Sequence, residues 1–240
     1  MWDLISFTND SEILDGCEGR KSYRKYVRRE SLFLLRTILT GFPVIVFSVG
    51  RPLPAAVKVA WKLRLFEICK IIAVDGAAIA LASSNIVPDV VVSDLDADIN
   101  DLIHVGKQGS IIVLRRKMEG TEKVLRFFKK CIGPIVFYDS VAKYDANSDL
   151  DAAVYLACKF HCRKVVLLGF DVSGNVSIYY KHGLRHTGSR LADQKRFTET
   201  LRRISWIFEK FDMEAYGVLE ENLSLKGVSL VSYLDLPNIL

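Results

Sequence analysis

Five aspartates fall between Asp89 and Asp101 with no basic residue among them. The sharpest arrangement is PDVVVSDLD (88–96), where an apolar run ends by presenting Asp94 and Asp96, one residue apart. Carboxylate oxygens grouped in this way suit a hard cation such as Mg²⁺, which takes one or two carboxylates together with waters and phosphate oxygens. An ordinary alternative stands beside it, an Asp-rich turn in which Asp96, Asp98 or Asn100 caps the next helix. Further along, YDANSDLDAA (144–153) also has two readings. Ser148 or Asn147 caps a helix with Asp149 in its first turn, or Asp149, with Asp151 beside it, joins the same cation site. In SVGRPLP (48–54), Gly50 lets the backbone approach a ligand, and the helix start that follows offers N–H groups to a phosphate.

The elements that must hold these residues are legible as short β-branched runs alternating with helical patterns. Strands are expected at 44–49, 71–74, 90–92, 110–114, 135–138 and 165–168. Helices are expected at 55–70, with Val57, Trp61, Leu65 and Ile68 on one apolar face, and at 77–83, 119–130 and 149–161. Strands bounded by helices at this spacing predict βαβ units with right-handed crossovers. Their near-continuous apolar character predicts a sheet covered on both faces. The fold class is therefore α/β, a doubly wound, mostly parallel, Rossmann-like sheet. The expected organisation is an N-terminal helical segment (1–40), a nucleotide- and Mg-binding core (41–174), and a small C-terminal helix and strand appendage (175–240). A basic helix near Tyr23–Leu39 would pack through Leu32, Leu35 and Leu39. A long helix would use Phe197, Leu201, Ile204, Phe208 and Phe211.

In an open α/β sheet, ligands bind at the carboxyl ends of the strands. Those ends are Ser48-Val49-Gly50, Asp75-Gly76, Ser93 to Asp96, Arg115-Arg116-Lys117, Tyr138-Asp139 and Gly169-Phe170-Asp171. Carboxylates close four of the six. Like charges brought together raise one another's pKa unless a cation intervenes, so solubility alone does not account for the convergence.

Composition narrows the class. The chain has 240 residues, half of them hydrophobic, ample for a two-sided core. No apolar run is long enough to cross a bilayer. The start MWDLISFTND has no basic region ahead of an apolar core, and five cysteines at scattered positions make no disulfide framework. Both point to a cytoplasmic location. The net charge of +5 is unevenly spread, with seven basic residues in 20–36 and eight in 103–131 around the acidic stretch. A basic surround enclosing carboxylates fits a magnesium-nucleotide better than nucleic acid. GCEGRKS (16–22) lacks the P-loop spacing and any preceding strand. Cys158, His161 and Cys162 have no second ligand pair for zinc and are read as the end of a helix. His182 and His186, in KHGLRHTGSR, are read as belonging to a polar loop, with phosphate contact or acid–base work as the alternative.

The ordered set AVDGA (73–77), PDVVVSDLD (88–96), NSDLDAAVYLA (147–157) and LLGFD (167–171) resembles the archaeal 6-hydroxymethyl-7,8-dihydropterin diphosphokinases, relatives of thiamine diphosphokinase. The likeness covers about Val44–Asp171. It implies transfer of diphosphate from ATP to a pterin hydroxymethyl group with release of AMP, in the presence of Mg²⁺. It further implies Asp94, Asp96 and Asp149 as catalytic metal ligands, and Asp75-Gly76 as site residues. Gly50, Arg115, Lys117 and Arg190 are the candidates for phosphate contact. The sequence departs from the family at LRRKMEG (114–120), where a His-x-His-Gly-Asp run is usual, and at Gly50-Arg51-Pro52-Leu53. A thiamine diphosphokinase-like enzyme and a non-catalytic nucleotide-binding relative are the alternatives. The expected partners are ATP and a small pterin-like acceptor, with neither membrane nor nucleic acid, and a homodimer is left open.

Overall fold

The computed structural model describes residues 29–95, 97–115, 120–131, 133–138, 148–170, 190–218 and 225–240, with side chains from 32 in the first helix and from 198 in the long one. The elements run α1 (Arg29–Leu39), β1 (Pro43–Phe47), α2 (Leu53–Lys62), a 3-10 turn (Leu65–Glu67), β2 (Lys70–Val74) and α3 (Gly76–Ala82). They continue with β3 (Val90–Ser93), α4 (Ile99–Lys107), β4 (Ile111–Arg115), α5 (Glu122–Lys130), β5 (Ile135–Tyr138) and α6 (Asp149–Lys159). Then come β6 (Lys164–Leu168), α7 (Arg190–Phe211), β7 (Ala215–Gly217), β8 (Ser229–Leu230) and α8 (Leu236–Ile239).

The eight strands form one sheet in the order β5-β4-β3-β2-β1-β6-β7-β8, and every pairing is parallel. The chain therefore steps outward from β1 to β5, then returns to the other side of β1 for β6. Right-handed crossovers make that reversal change faces. Helices α2 to α5 cover one face with Leu53, Ala77, Leu102 and Phe127, while α1, α6 and α7 cover the other with Leu35, Val154 and Ile204. The sheet is doubly wound, as the pattern of apolar runs predicts. The two strands of the C-terminal segment lengthen the same sheet beyond β6.

Helix starts follow ordinary capping chemistry. Asp98 accepts the N–H groups of Asn100 and Asp101, Thr121 that of Val124, and Ser148 that of Asp151. One expectation needs correcting. The helix read as 55–70 ends at Lys62, and Arg64 turns the chain through a left-handed conformation (φ 53°) into the 3-10 turn. Leu65 is still buried, but Trp61 and Ile68 are 56% and 49% exposed. The face of α2 that meets the sheet is Leu53, Ala56, Val57 and Ala60. Once the helix stops, spacing counted across its end no longer describes a common face.

The two halves of the sheet meet tightly where β1 and β6 end. The N–H of Gly50 donates to the Gly169 carbonyl at 2.8 Å, and that of Ser48 to the Leu168 carbonyl at 2.9 Å. Gly169 has φ +66°, and a Cβ there would lie 2.7 Å from the Ser48 carbonyl oxygen. Gly169→Ala therefore combines roughly 1–2 kcal/mol of left-handed backbone strain with a backbone clash. It should lower the urea midpoint of unfolding clearly, and an unchanged midpoint would show that the turn relaxes freely.

Candidate active site

Two adjacent strands end in unusual backbone. After β2, Asp75 adopts φ 43° and ψ −118°, its N–H donates to the Val92 carbonyl at 3.0 Å, and Gly76 opens α3 directly behind it. After β3, Ser93 Oγ accepts the N–H of Leu95 at 2.8 Å, and Leu95 is itself left-handed at φ 63°. These two tight turns present Asp75 and Asp94 side by side. Strain of this kind, on residues other than glycine, tends to gather at functional sites.

The third carboxylate arrives from elsewhere. Helix α6 belongs to the long return from β5 to β6, and it lies across β2 and β3. Its first residue, Asp149, thereby joins the other two. Carboxylate oxygens of Asp75, Asp94 and Asp149 lie within 4.8 Å of one another. Asp75 and Asp149 are buried and Asp94 is partly exposed, so the cluster opens to solvent on one side.

Asp149 is held by two side chains from the ends of β4 and β5. Arg115 Nε donates to Asp149 Oδ1 at 3.0 Å and to the Tyr138 hydroxyl oxygen at 2.9 Å, and the Tyr138 hydroxyl donates to Asp149 Oδ1 at 2.8 Å. Burial, reinforced by the Asp149 charge, raises the Tyr138 pKa well above the usual value, so it stays a neutral donor. Burial works against the Arg115 charge, but Asp149 and Tyr138 more than offset it and raise its pKa.

One arginine does not balance three carboxylates. Two full charges at about 4.8 Å repel by roughly 3 kcal/mol at an effective dielectric of about 20. Burial first, then the charges of Asp149 and Asp94, push the Asp75 carboxyl well above its usual range. Its buried Oδ1 has no hydrogen-bond partner among the described residues. A hard divalent cation fits this donor set, because it would bind the orphaned oxygen and cancel the repulsion together.

The structure thus brings together Asp75, Asp94, Asp149 and Arg115. Gly50 stands farther along the sheet's carboxyl edge at the β1–α2 junction, with its own N–H spent on Gly169. Arg190 is the first residue of α7. Asp96, Lys117, His182, His186, Asp139 and Asp171 lie outside the described residues. Asp89 sits at the opposite end of β3, where Oδ2 accepts the Ile71 N–H at 2.8 Å. Asp151 turns away from the cluster toward Arg203, whose Nη1 lies 2.8 Å from Oδ2. Burial pushes the Asp151 carboxyl up to about 6 against the pull of Arg203. Tyr138 and Ser93 stand at strand ends that the sequence nominated, but neither was given a role there. The available signal for Tyr138 was its place as the hydroxyl-bearing last residue of an apolar strand. Cys158 sits in the last turn of α6 and Cys162 three residues past its end, and both thiols are buried.

These features define an open, doubly wound α/β protein with a carboxylate site at the carboxyl edge of its parallel strands. In fold it is similar to the MAf glycosyltransferase from Magnetospirillum magneticum AMB-1, with a TM-score of 0.53 at 11% identity, over 92% of this chain and 39% of that one. The family model described as "6-hydroxymethylpterin diphosphokinase MptE-like" matches residues 21–176, and the chain belongs to that family. Two relatives named 6-hydroxymethyl-7,8-dihydropterin pyrophosphokinase agree. That of Methanocaldococcus jannaschii is 27% identical over 75% of this chain and 80% of its own. That of Pyrococcus furiosus is 32% identical over 68% and 71%.

The repulsion among the three carboxylates is testable without substrate. The folded state raises the Asp75 pKa above its ordinary 3.8, so its stabilising contribution is present below that pH and is lost as pH rises toward the folded value. In cation-free buffer, Asp75→Asn should therefore melt higher than the parent by a margin that widens above about pH 4, by roughly 2–4 °C per kcal/mol relieved. The same variant should lose Mn²⁺ binding. A lower melting temperature at neutral pH would contradict the account of crowded charge.

Proposed function

We propose that this chain transfers diphosphate from ATP to the hydroxymethyl group of 6-hydroxymethyl-7,8-dihydropterin, releasing AMP. The observation that carries this reading is the meeting of Asp75, Asp94 and Asp149 at one strand edge, in a chain of the 6-hydroxymethylpterin diphosphokinase MptE-like family. The names of the archaeal relatives supply the acceptor.

Asp94, Asp149 and Asp75 would hold Mg²⁺, with Asp96 as a further candidate beside Asp94. When bound, the ion would neutralise phosphate charge and orient the polyphosphate. The protein's own part is positioning and electrostatics. Arg115 keeps its proton and lies at the edge of the cluster, so its charge would offset negative charge on a phosphate bound there. Its grip on Asp149, shared with Tyr138, holds that carboxylate at a fixed place. The start of α2 that follows Gly50 lies along the same carboxyl edge, but the Leu53 N–H is spent on the Gly50 carbonyl and Pro54 has none, so it offers a phosphate little. In the transfer, the pterin hydroxymethyl oxygen bonds to the β-phosphorus and gives up its proton to solvent, while the bond from the β-phosphorus to the α–β bridging oxygen breaks and AMP leaves with that oxygen. Burial of Tyr138 and Asp149 excludes water from the inner side of the site.

Incubation with ATP, Mg²⁺ and 6-hydroxymethyl-7,8-dihydropterin should yield AMP and the pterin diphosphate, read by chromatography. Formation of ADP, or turnover with thiamine but not the pterin, would refute the assignment. Asp94→Asn and Asp96→Asn should each abolish turnover while leaving the circular dichroism spectrum unchanged. Full activity in both would remove the carboxylate edge from the mechanism.

A further inference from the structure

Helix α6 carries two buried aspartates in its first turn, and only one belongs to the carboxylate cluster. Asp149 and Asp151 are two positions apart, so at about 100° per residue they project from nearly opposite sides of the helix. Asp149 faces the strand edge, held by Arg115 and Tyr138. Asp151 is fully buried and faces α7, where Arg203 Nη1 meets its Oδ2 at 2.8 Å. Arg203 is itself only 4% exposed and lies outside the 21–176 region that the family model matches.

This pair is poorly built as a stabilising device. The other Asp151 oxygen is buried with no hydrogen-bond partner among the described residues. An ion pair taken out of water often contributes no more than apolar groups of the same size. What the pair supplies is direction. Residues 149–158 of α6 are all buried, and three of them are alanines (Ala152, Ala153, Ala157), so the Asp151–Arg203 pair adds a directional tie to the packing of Leu150, Val154, Tyr155 and Leu156. A rotation of about 20° would carry a carboxylate about 5 Å from the helix axis by roughly 2 Å. That displacement is comparable to a whole Mg–oxygen bond in a coordination shell that tolerates little distortion.

We propose that Arg203 is a positioning residue of the cation site: by pairing with Asp151 it fixes the rotation of α6 and so sets where Asp149 presents its carboxylate. The inference rests on the reading of Asp75, Asp94 and Asp149 as a cation site. Through it, α7 from the C-terminal segment governs a site whose own residues all come from the sheet and α6.

The test uses D151N/R203M. This double change removes the clamp without altering net charge, so a change in cation affinity cannot come from the overall field. Mn²⁺ binding is titrated by calorimetry or electron paramagnetic resonance, with thermal unfolding measured alongside. The expected result is a melting temperature near that of the parent with Mn²⁺ affinity weakened by about tenfold or more, the size of effect seen when partners of metal ligands are removed. A smaller loss, with the parent binding Mn²⁺, overturns the inference and leaves the pair a packing feature. Should D151N/R203M fail to fold, D151L/R203M lacks the same clamp and is read in the same way. If the parent does not bind Mn²⁺, or binds it equally well after Asp94→Asn, the cation reading itself fails and the inference falls with it.

Discussion

Three carboxylates crowd the end of β2 and β3, two of them buried, with one arginine among them. Left alone, such a group repels itself by several kcal/mol and relieves the strain by holding protons, as the raised pKa of Asp75 records. Much of the surrounding structure works to maintain that unfavourable proximity. Left-handed backbone at Asp75 and Leu95 is tolerated, Tyr138 is buried as a neutral donor, and Arg115 is drawn partly out of solvent. Each of these is costly in isolation. They are coherent around a group that a divalent cation would stabilise.

Topology explains how the third carboxylate reaches the other two. The sheet grows outward from β1 to β5 and then reverses to β6, and right-handed crossovers send the return helix across the opposite face. Because that return spans four strands, α6 lies over β2 and β3 rather than beside β5. Asp149 is therefore delivered to strands that precede it by more than fifty residues. The same reversal puts α7 against α6, which brings Arg203 to Asp151. The face change that completes the core also assembles the site.

Much of the fold was legible in the sequence because buried parallel strands must be continuously apolar and capped helices must start with an accepting side chain. Strand β5 was read at its observed bounds, and Asp98 and Ser148 cap the helices that their positions indicated. The helix through Trp61 and Ile68 was overextended. Its end at Lys62 depends on a left-handed Arg64, a conformation that no residue type in KLRLF announces.

For the site, the sequence by itself determined its chemistry: Asp75 and Asp94 are oxygen donors next to strand ends, Asp149 is one at a helix start, and the carboxyl edge of a parallel sheet is where such residues can meet. Which of the neighbouring aspartates takes part was decided only in three dimensions. Asp89, Asp98 and Asp151 have the same side chain as Asp94 and Asp149, yet they hold β2, cap α4 and grip Arg203. Side-chain direction follows from backbone dihedrals and from partners such as Arg115, 34 residues from Asp149, and Arg203, 52 residues from Asp151. A local pattern carries neither, and so the grip of Tyr138 on Asp149 and the part of Arg203 became visible only once β4, β5 and α7 were packed around α6.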